Sequence, residues 1–340
     1  MESDMRQSIP SRQFWIRAPG QGVVVEKSID LPGDGEVLVE TSYSGVSRGT
    51  EGIVFRGEVP PSQYLEMRAP FQEGEFPGPV KYGYSSVGRV ARAPETHAHL
   101  VGRTVFCLFP HQDRYVVPVA AVVPVPPGVP AGRAVLAANM ETAVNVVWDA
   151  APTVGDRIVV IGGGVVGMLV AWLCRQTPGT EVLLIDIDSS RADVAGALGV
   201  RFATSSTDDL DADVVIHASG SPGGLTTALS VAGLEARVVE ASWFGARTVP
   251  LQLGESFHSR RLTVRSSQVG RIPPERAPRW THRRRLEVAL RLLVDPILDV
   301  LITGESPFAT LPEVMRDLSE GKASTLCHRV GYHDDADALL

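Results

Sequence analysis

The sequence predicts a two-domain α/β chain, a β-rich barrel-like domain followed by a doubly wound parallel sheet. Three observations predict it. Short Val-rich segments bounded by Gly, Pro and Asp fill residues 1–140, as in closed or barrel-like β domains. From 141 to 270, apolar runs alternate with helix-period segments, the signature of βαβ units. The chain has 340 residues, more than one core ordinarily organises.

Composition narrows the function classes. Hydrophobic residues make up 44% of the chain and charged ones 21%, enough apolar material for two cores. The net charge of −7 gives no field to gather nucleic acid or an anionic membrane surface. Cys107, Cys174 and Cys327 are far apart and odd in number, which fits reduced thiols and a cytoplasmic setting. The opening "MESDMRQSIPSRQFW" carries acidic residues and no apolar run, so no signal peptide is expected. No run of about 18 apolar residues asks for a membrane span.

In chain order, "QGVVVEKSI", "GEVLVETSYSGV", "SVGRVAR", "GRTVFCLF" and "DRYVVPVAAVVPVP" read as strands. Residues 50–80 read as a long loop with Phe55, Tyr64, Phe71 and Phe76, either a substrate loop or a structured insertion. "METAVNVVWDAA" reads as a helix, "DRIVVIG" as a buried strand, "VVGMLVAWLCRQT" as a helix and "TEVLLIDID" as the next strand. "SRADVAGALG" is a helix stopped by Gly199, and "ADVVIHASG" and "EARVVEASW" are strands around the helix "GGLTTALSVAG". Arg276, Arg279, Arg283, Arg284 and Arg285 cluster ahead of a helix whose Leu286, Leu290 and Leu293 share one face. The cluster is either a solvated helix start or an anion-binding surface. A helix in "PFATLPEVMRDLSEG", a closing strand in "TLCHRVGY" and a loose tail "HDDADALL" complete the chain.

The most informative stretch is "IGGGVVG". Gly162, Gly164 and Gly167 form G-x-G-x-x-G between a strand and a helix, and Asp186 ends the next strand. Gly162 permits a tight turn, Gly164 lets a diphosphate approach the backbone, and Gly167 lets helix and strand pack closely. The helix opening at Val165 and Val166 offers free N–H groups and partial positive charge to phosphates. Asp186 is placed to accept the ribose hydroxyls and would repel a 2′-phosphate, so NAD is the expected cofactor. Arg191, just beyond, could soften that repulsion. A Rossmann domain over 142–270 follows, with 1–141 and 271–340 forming the other domain.

"DGEVLVETSYSGVSRGTE" and "VGDRIVVIGGGVVG" resemble the early signature and the nucleotide-domain entry of the medium-chain dehydrogenase/reductase superfamily. "FRGEVPPSQYLEMRAPFQEGEFPGPVKYGY" and "VFCLFPHQDRYVVP" resemble a subgroup containing hydroxyethyl bacteriochlorophyllide dehydrogenases and actinobacterial proteins called zinc-binding dehydrogenases. The resemblance implies a chaperonin-10-like β-barrel catalytic domain beside the Rossmann sheet, NAD chemistry on a secondary alcohol or ketone, and a homodimer. It further implies that Arg48 and His328 occupy positions that contact the cofactor pyrophosphate.

The departures from the family pattern bear on mechanism. Ser47 stands where a zinc-ligating cysteine is expected, and Tyr84 and Ser85 where a His-Glu pair is expected. Glu141 falls near the remaining ligand position. One carboxylate with hydroxyls is not zinc's His/Cys-rich tetrahedron, so no metal is expected. Without it, an acid/base must serve the reacting oxygen. Tyr84 is one candidate, with Lys81 lowering its pKa; the alternative is that Tyr84 only fills the vacated cavity. Tyr82 is expected to face away from it. Glu141 is another candidate, as base or as a helix-terminal acid. Thr50 and Ser47 could relay protons or serve as turn residues, and His111 could transfer protons or be structural. His217 is expected to be architectural.

The sequence therefore reads as a zinc-independent, NAD-dependent oxidoreductase acting on CH–OH of a fairly large small-molecule substrate, cyclic ones included, in specialised metabolism. Two alternatives stand beside it: an NADPH-dependent enoyl or quinone reductase, which Asp186 disfavours, and a catalytically degenerate NAD-binding sensor.

Overall fold

The computed structural model describes residues 8–206, 210–322 and 324–332, so the tail expected at 333–340 lies outside the described residues. The chain divides into two compact units, Met1–Ala138 with Ile302–Leu340, and Asn139–Leu301.

The first unit begins with a long antiparallel hairpin, β1 (Ser8–Ala18) and β2 (Gln21–Asp30), turned at Gly20 with φ 74°. β3 (Glu36–Val46) is its central strand. α1 (Arg48–Phe55) follows directly. Then come β4 (Glu73–Gly74), β5 (Val80–Lys81), β6 (Ser86–Arg92), β7 (Thr104–Cys107), β8 (Arg114–Pro118) and β9 (Val123–Pro124). β3 pairs antiparallel with both β6 and β8, so Val37 and Val39 are closed off from solvent. Around them Val90, Leu100, Val105, Phe109, Tyr115 and Val117 complete one core. The Val-rich alternation of the sequence made these strands recognisable.

The 50–80 segment differs from the long loop expected. Its first residues are helical, and α1 buries Glu51 together with Ile53, Val54 and Phe55. Beyond the helix, aromatic rings pin the segment down: Tyr64 packs on Phe76 with centroids 5.7 Å apart, and Phe76 on Tyr82 at 5.7 Å. Such pairs add about 0.5–1.5 kcal/mol each beyond the area they bury. The structured-insertion alternative describes the observed packing.

A four-residue helix, α2 (Ala131–Ala134), leads to α3 (Ala137–Ala150). The second unit is a six-stranded parallel sheet. Its elements are β10 (Arg157–Ile161), α4 (Val165–Cys174), β11 (Glu181–Ile185), α5 (Ala192–Ala197), β12 (Arg201–Ala203), β13 (Ala212–His217), α6 (Pro222–Val231), β14 (Ala232–Glu240), α7 (Ser256–Ser259) and β15 (Thr263–Ser266). Across the sheet the order is β12-β11-β10-β13-β14-β15. Counted from β10 as the first strand, that is 3-2-1-4-5-6, the doubly wound Rossmann arrangement. Ile158, Val159, Val160 and Ile161 are all buried, as expected of a strand covered on both faces.

The segment 271–301, expected in the first domain, belongs to the second unit. α8 (His282–Leu292) buries Leu286 and Leu290 on one face, with Leu293 just beyond it buried as well. The physical reason is Arg285. The sequence placed it in a solvated or anion-binding cluster, yet it is 1% exposed. Its Nε donates to Glu141 at 3.1 Å, its Nη2 to the Val269 carbonyl at 2.5 Å, and its Nη1 to Asn145. The chain then returns to the first unit through β16 (Ile302–Pro307), α9 (Leu311–Ser319) and β17 (Cys327–Gly331), with β17 pairing on β3. No helix among the described residues is long and apolar enough to cross a membrane.

Candidate active site

In the second unit the glycine turn is built as its spacing requires. Gly162 has φ 110°, and a Cβ there would lie 2.6 Å from the Ser219 backbone. A Cβ on Gly167 would sit 1.9 Å from the Gly162 carbonyl oxygen. Gly164 differs: its φ is −71° and nothing lies within 4 Å of where its Cβ would be. Neither backbone strain nor packing asks for glycine there. What its missing side chain leaves is open space before the first turn of α4, where Val165 and Val166 begin the helix with no side-chain cap. That cradle fits a diphosphate held on helix N–H groups.

Asp186 stands at the end of β11 beside this turn. Its Oδ2 accepts from the Gly163 N–H at 2.5 Å and its Oδ1 from the Asp188 N–H at 2.8 Å. Each oxygen keeps a lone pair for a ribose hydroxyl. Arg191 is buried against the same turn, with its guanidinium 3.2 Å from Asp188.

In the first unit, β5 stops at Lys81, and "YGY" then runs as irregular chain to β6. Gly83, with φ 139°, lies so close to His111 that a Cβ would meet its ring at 3.0 Å. Tyr82 does not face away from Tyr84 as expected; the two rings meet edge-on with centroids 6.0 Å apart. Tyr84 is half-buried, with the Ser47 and Thr50 hydroxyls and the Glu51 carboxylate near its phenol. Burial holds the phenol protonated well above the ordinary tyrosine range; the nearby Glu51 carboxylate adds to this and the two hydroxyls oppose it.

Glu51 is the residue the sequence reading missed. It is 2% exposed. Its Oε1 accepts from the Ser47 N–H at 2.7 Å, and its Oε2 lies 2.8 Å from His111 Nε2. His111 Nδ1 is 2.7 Å from Ser44 Oγ, which in turn lies 2.9 Å from Tyr332 Oη. Tyr332, Ser44, His111 and Glu51 thus form one continuous hydrogen-bonded chain. One signal could have found it: Glu51 is four residues beyond Ser47, on the same face of a helix opening straight from β3.

Other expected members fall elsewhere. Lys81 does not serve Tyr84. Its ammonium pairs with Glu73 and donates to Gln112 Oε1 at 2.7 Å, lining a cavity of about 250 Å³ with Phe109 and Tyr115. Burial lowers its pKa, and Glu73 opposes that. Glu141 is not a free base either: it is buried in the ion pair with Arg285. Burial pushes its carboxyl up while the guanidinium pulls it down. His111 is enclosed, with both nitrogens engaged. Arg48 is exposed, with Nη1 3.4 Å from the Thr325 carbonyl. His328 Nε2 is 2.8 Å from Ser306 Oγ, and burial lowers its pKa.

The residues at the expected zinc positions do not fit that metal. Ser85 Oγ donates to the Val135 carbonyl at 2.5 Å, and Glu141 is paired with Arg285. Among the described residues no three His, Cys, Asp or Glu side chains converge as a metal site. Cys107, Cys174 and Cys327 are buried apart, their thiols pushed up to about 12 by burial.

No family model matches the chain. Curated relatives do. D-guloside 3-dehydrogenase of Escherichia coli K12 is 26% identical over 185 residues, 50% of this chain and 53% of that protein. The 2-desacetyl-2-hydroxyethyl bacteriochlorophyllide A dehydrogenase of Rhodobacter capsulatus is 28% identical over 56% of this chain and 60% of its own length. Matches to these two thus span little more than half of each relative. L-galactonate-5-dehydrogenase of Escherichia coli K12 is 25% identical over 87% of this chain and 91% of its own. These matches support the resemblance to the medium-chain dehydrogenase/reductase superfamily. Solved structures of dehydrogenases share the fold. An alcohol dehydrogenase from Escherichia coli CFT073 complexed with NADH superposes with TM-score 0.75 at 17% identity, covering 95% of this chain and 99% of that one. A dehydrogenase of Sinorhizobium meliloti 1021 bound to NADP gives 0.75 at 16%, covering 95% and 100%.

Proposed function

We propose that the chain is an NAD-dependent oxidoreductase interconverting a secondary alcohol and a ketone, with Tyr84 as the acid/base and no catalytic metal. The observation that carries it is the Tyr84 phenol, standing at the expected ligand position near Ser47, Thr50 and Glu51 and kept protonated chiefly by burial. The relatives act, by their names, on hydroxyl-bearing sugars, sugar acids and a tetrapyrrole side chain, which supports the CH–OH class. A fairly large substrate and a setting in specialised metabolism are part of the proposal. A cytoplasmic homodimer is the proposed form.

The nicotinamide would supply or accept the hydride. Glycines 162, 164 and 167, the α4 N–H groups and Asp186 would hold its diphosphate and ribose. Tyr84 donates a proton to the ketone oxygen as charge develops on it. The Ser47 and Thr50 hydroxyls then stabilise the phenolate and return a proton from solvent.

The pH dependence follows from the direction of the shift. A phenol whose pKa is raised stays a proton donor through neutral pH, so ketone reduction is flat there and falls only in alkali. Alcohol oxidation needs the phenolate and rises with pH. Glu51→Gln removes the charge that disfavours phenolate, so both limbs move to lower pH. A profile that does not move in this variant contradicts the role given to Glu51.

The cofactor choice is tested by fluorescence titration. NADH is expected to bind at least ~10-fold more tightly than NADPH, since a 2′-phosphate beside the Asp186 carboxylate costs more than about 1.4 kcal/mol. Equal or tighter NADPH binding would favour the enoyl or quinone reductase reading instead.

A further inference from the structure

Beyond the glycine turn, a closed ring of polar contacts ties together the ends of β13 and β14. His217 and Glu240 are register partners on these neighbouring strands. His217 is fully buried. Its Nδ1 lies 2.6 Å from Glu240 Oε2 and its Nε2 2.6 Å from Ser219 Oγ. Glu240 Oε1 accepts from the Ser242 N–H at 2.6 Å, and Ser242 Oγ accepts from the Gly220 N–H at 3.0 Å. Arg247 Nη2 adds a bond to the Gly220 carbonyl at 3.1 Å. His217 thus bonds Glu240 through one ring nitrogen and Ser219 through the other.

The three side chains have the order of a hydrolytic triad, but Ser219 is not placed as a nucleophile. Its Oγ already accepts from the Ser221 N–H at 3.2 Å. It is packed beneath Gly224, where a Cβ would lie 2.3 Å from that oxygen and 2.7 Å from His217 Nε2. Gly224 is glycine so that this bond can form.

What the ring does is fix the loop 218–221, and that loop is the wall of the dinucleotide turn. The Ala218 N–H donates to the Ile161 carbonyl at 2.8 Å, and the Ser219 backbone is the surface that a Cβ on Gly162 would strike. We infer that His217, oriented by Glu240, is a positioning residue for the cofactor site: through Ser219 it holds loop 218–221 against Gly162 and so preorganises the turn that receives the diphosphate. This rests on the nucleotide reading above and adds to it a residue that no part of the G-x-G-x-x-G pattern specifies. Without the Ser219 bond the loop must be ordered when the ligand binds, and that cost is taken from affinity.

Ser219 is exposed, so Ser219→Ala removes the link without opening the core. Titration of the full chain with NADH is the test. The variant is expected to weaken NADH binding about fivefold, the worth of one hydrogen bond, and to raise the KM for NADH by the same factor. The KM for the second substrate should stay at the wild-type value, and the melting temperature of the cofactor-free protein should fall by only a few degrees. Ser221→Ala, two residues on and without a side-chain cap bond, is the control and should bind as wild type does. Ser219→Ala binding NADH within twofold of wild type overturns the inference while leaving the cofactor reading intact; wild-type protein that binds no NADH overturns that reading instead.

Discussion

Tyr84→Phe is expected to lower kcat for ketone reduction by ~10²–10⁴-fold, the range for loss of a positioned acid, with the fold retained. The substitution removes one oxygen from a half-buried ring and leaves Ser47 and Thr50 able to bond each other or water. The cost to stability should therefore stay within about 1 kcal/mol. NADH affinity should be unchanged, because the glycine turn and Asp186 are in the other unit. Steady-state kinetics with a melting curve and an NADH titration separate these effects. A variant that turns over within threefold of wild type would mean that Tyr84 is not the acid and only fills space.

The second large effect concerns stability. Arg285→Ala should destabilise the second unit by about 3–5 kcal/mol, the cost of leaving a buried charge without its partner. Glu141 is 4% exposed, and its carboxyl would have to take up a proton or draw in water. The Asn145 side chain and the Val269 carbonyl lose their donor at the same time. Because the chain has two units, the loss should be read from the transition of the second unit, followed by the Trp148–Trp280 pair, whose rings pack 4.7 Å apart. Stability within 1 kcal/mol of wild type would show that Glu141 is not held by this pair and is open to another role.

Much of the fold is legible in the residues. The parallel sheet is written in runs such as "RIVVI" and "EVLLI", buried on both faces, and in glycines whose Cβ positions are filled by backbone. The Leu286, Leu290 and Leu293 face is a three-residue signal that the packing bears out. What the sequence could not reveal is which charged residues are inside. Arg285 sits in a run of arginines that otherwise face solvent, and Lys81 and Glu51 sit in polar, Gly-rich stretches. A charged side chain is buried only when a partner from a distant part of the chain meets it. Those partners, Glu141 for Arg285, Glu73 and Gln112 for Lys81, and His111 for Glu51, are set by tertiary pairing rather than local pattern. The same holds for Ser219, His217 and Glu240, which become neighbours only because β13 and β14 are adjacent. The proposed site residues that the sequence singles out, Tyr84, Thr50 and the glycines, lie within short stretches where spacing is read directly.

The central claim is that an organic acid serves the reacting oxygen in place of a cation. Its most direct test is NADH-dependent reduction of a ketone substrate by protein dialysed against chelator, with metal content measured on the same sample. The account predicts undiminished turnover from a preparation holding less than about 0.1 equivalent of zinc, a threshold far below the one ion per site that zinc catalysis needs. Activity lost on chelation and restored by stoichiometric zinc would contradict it.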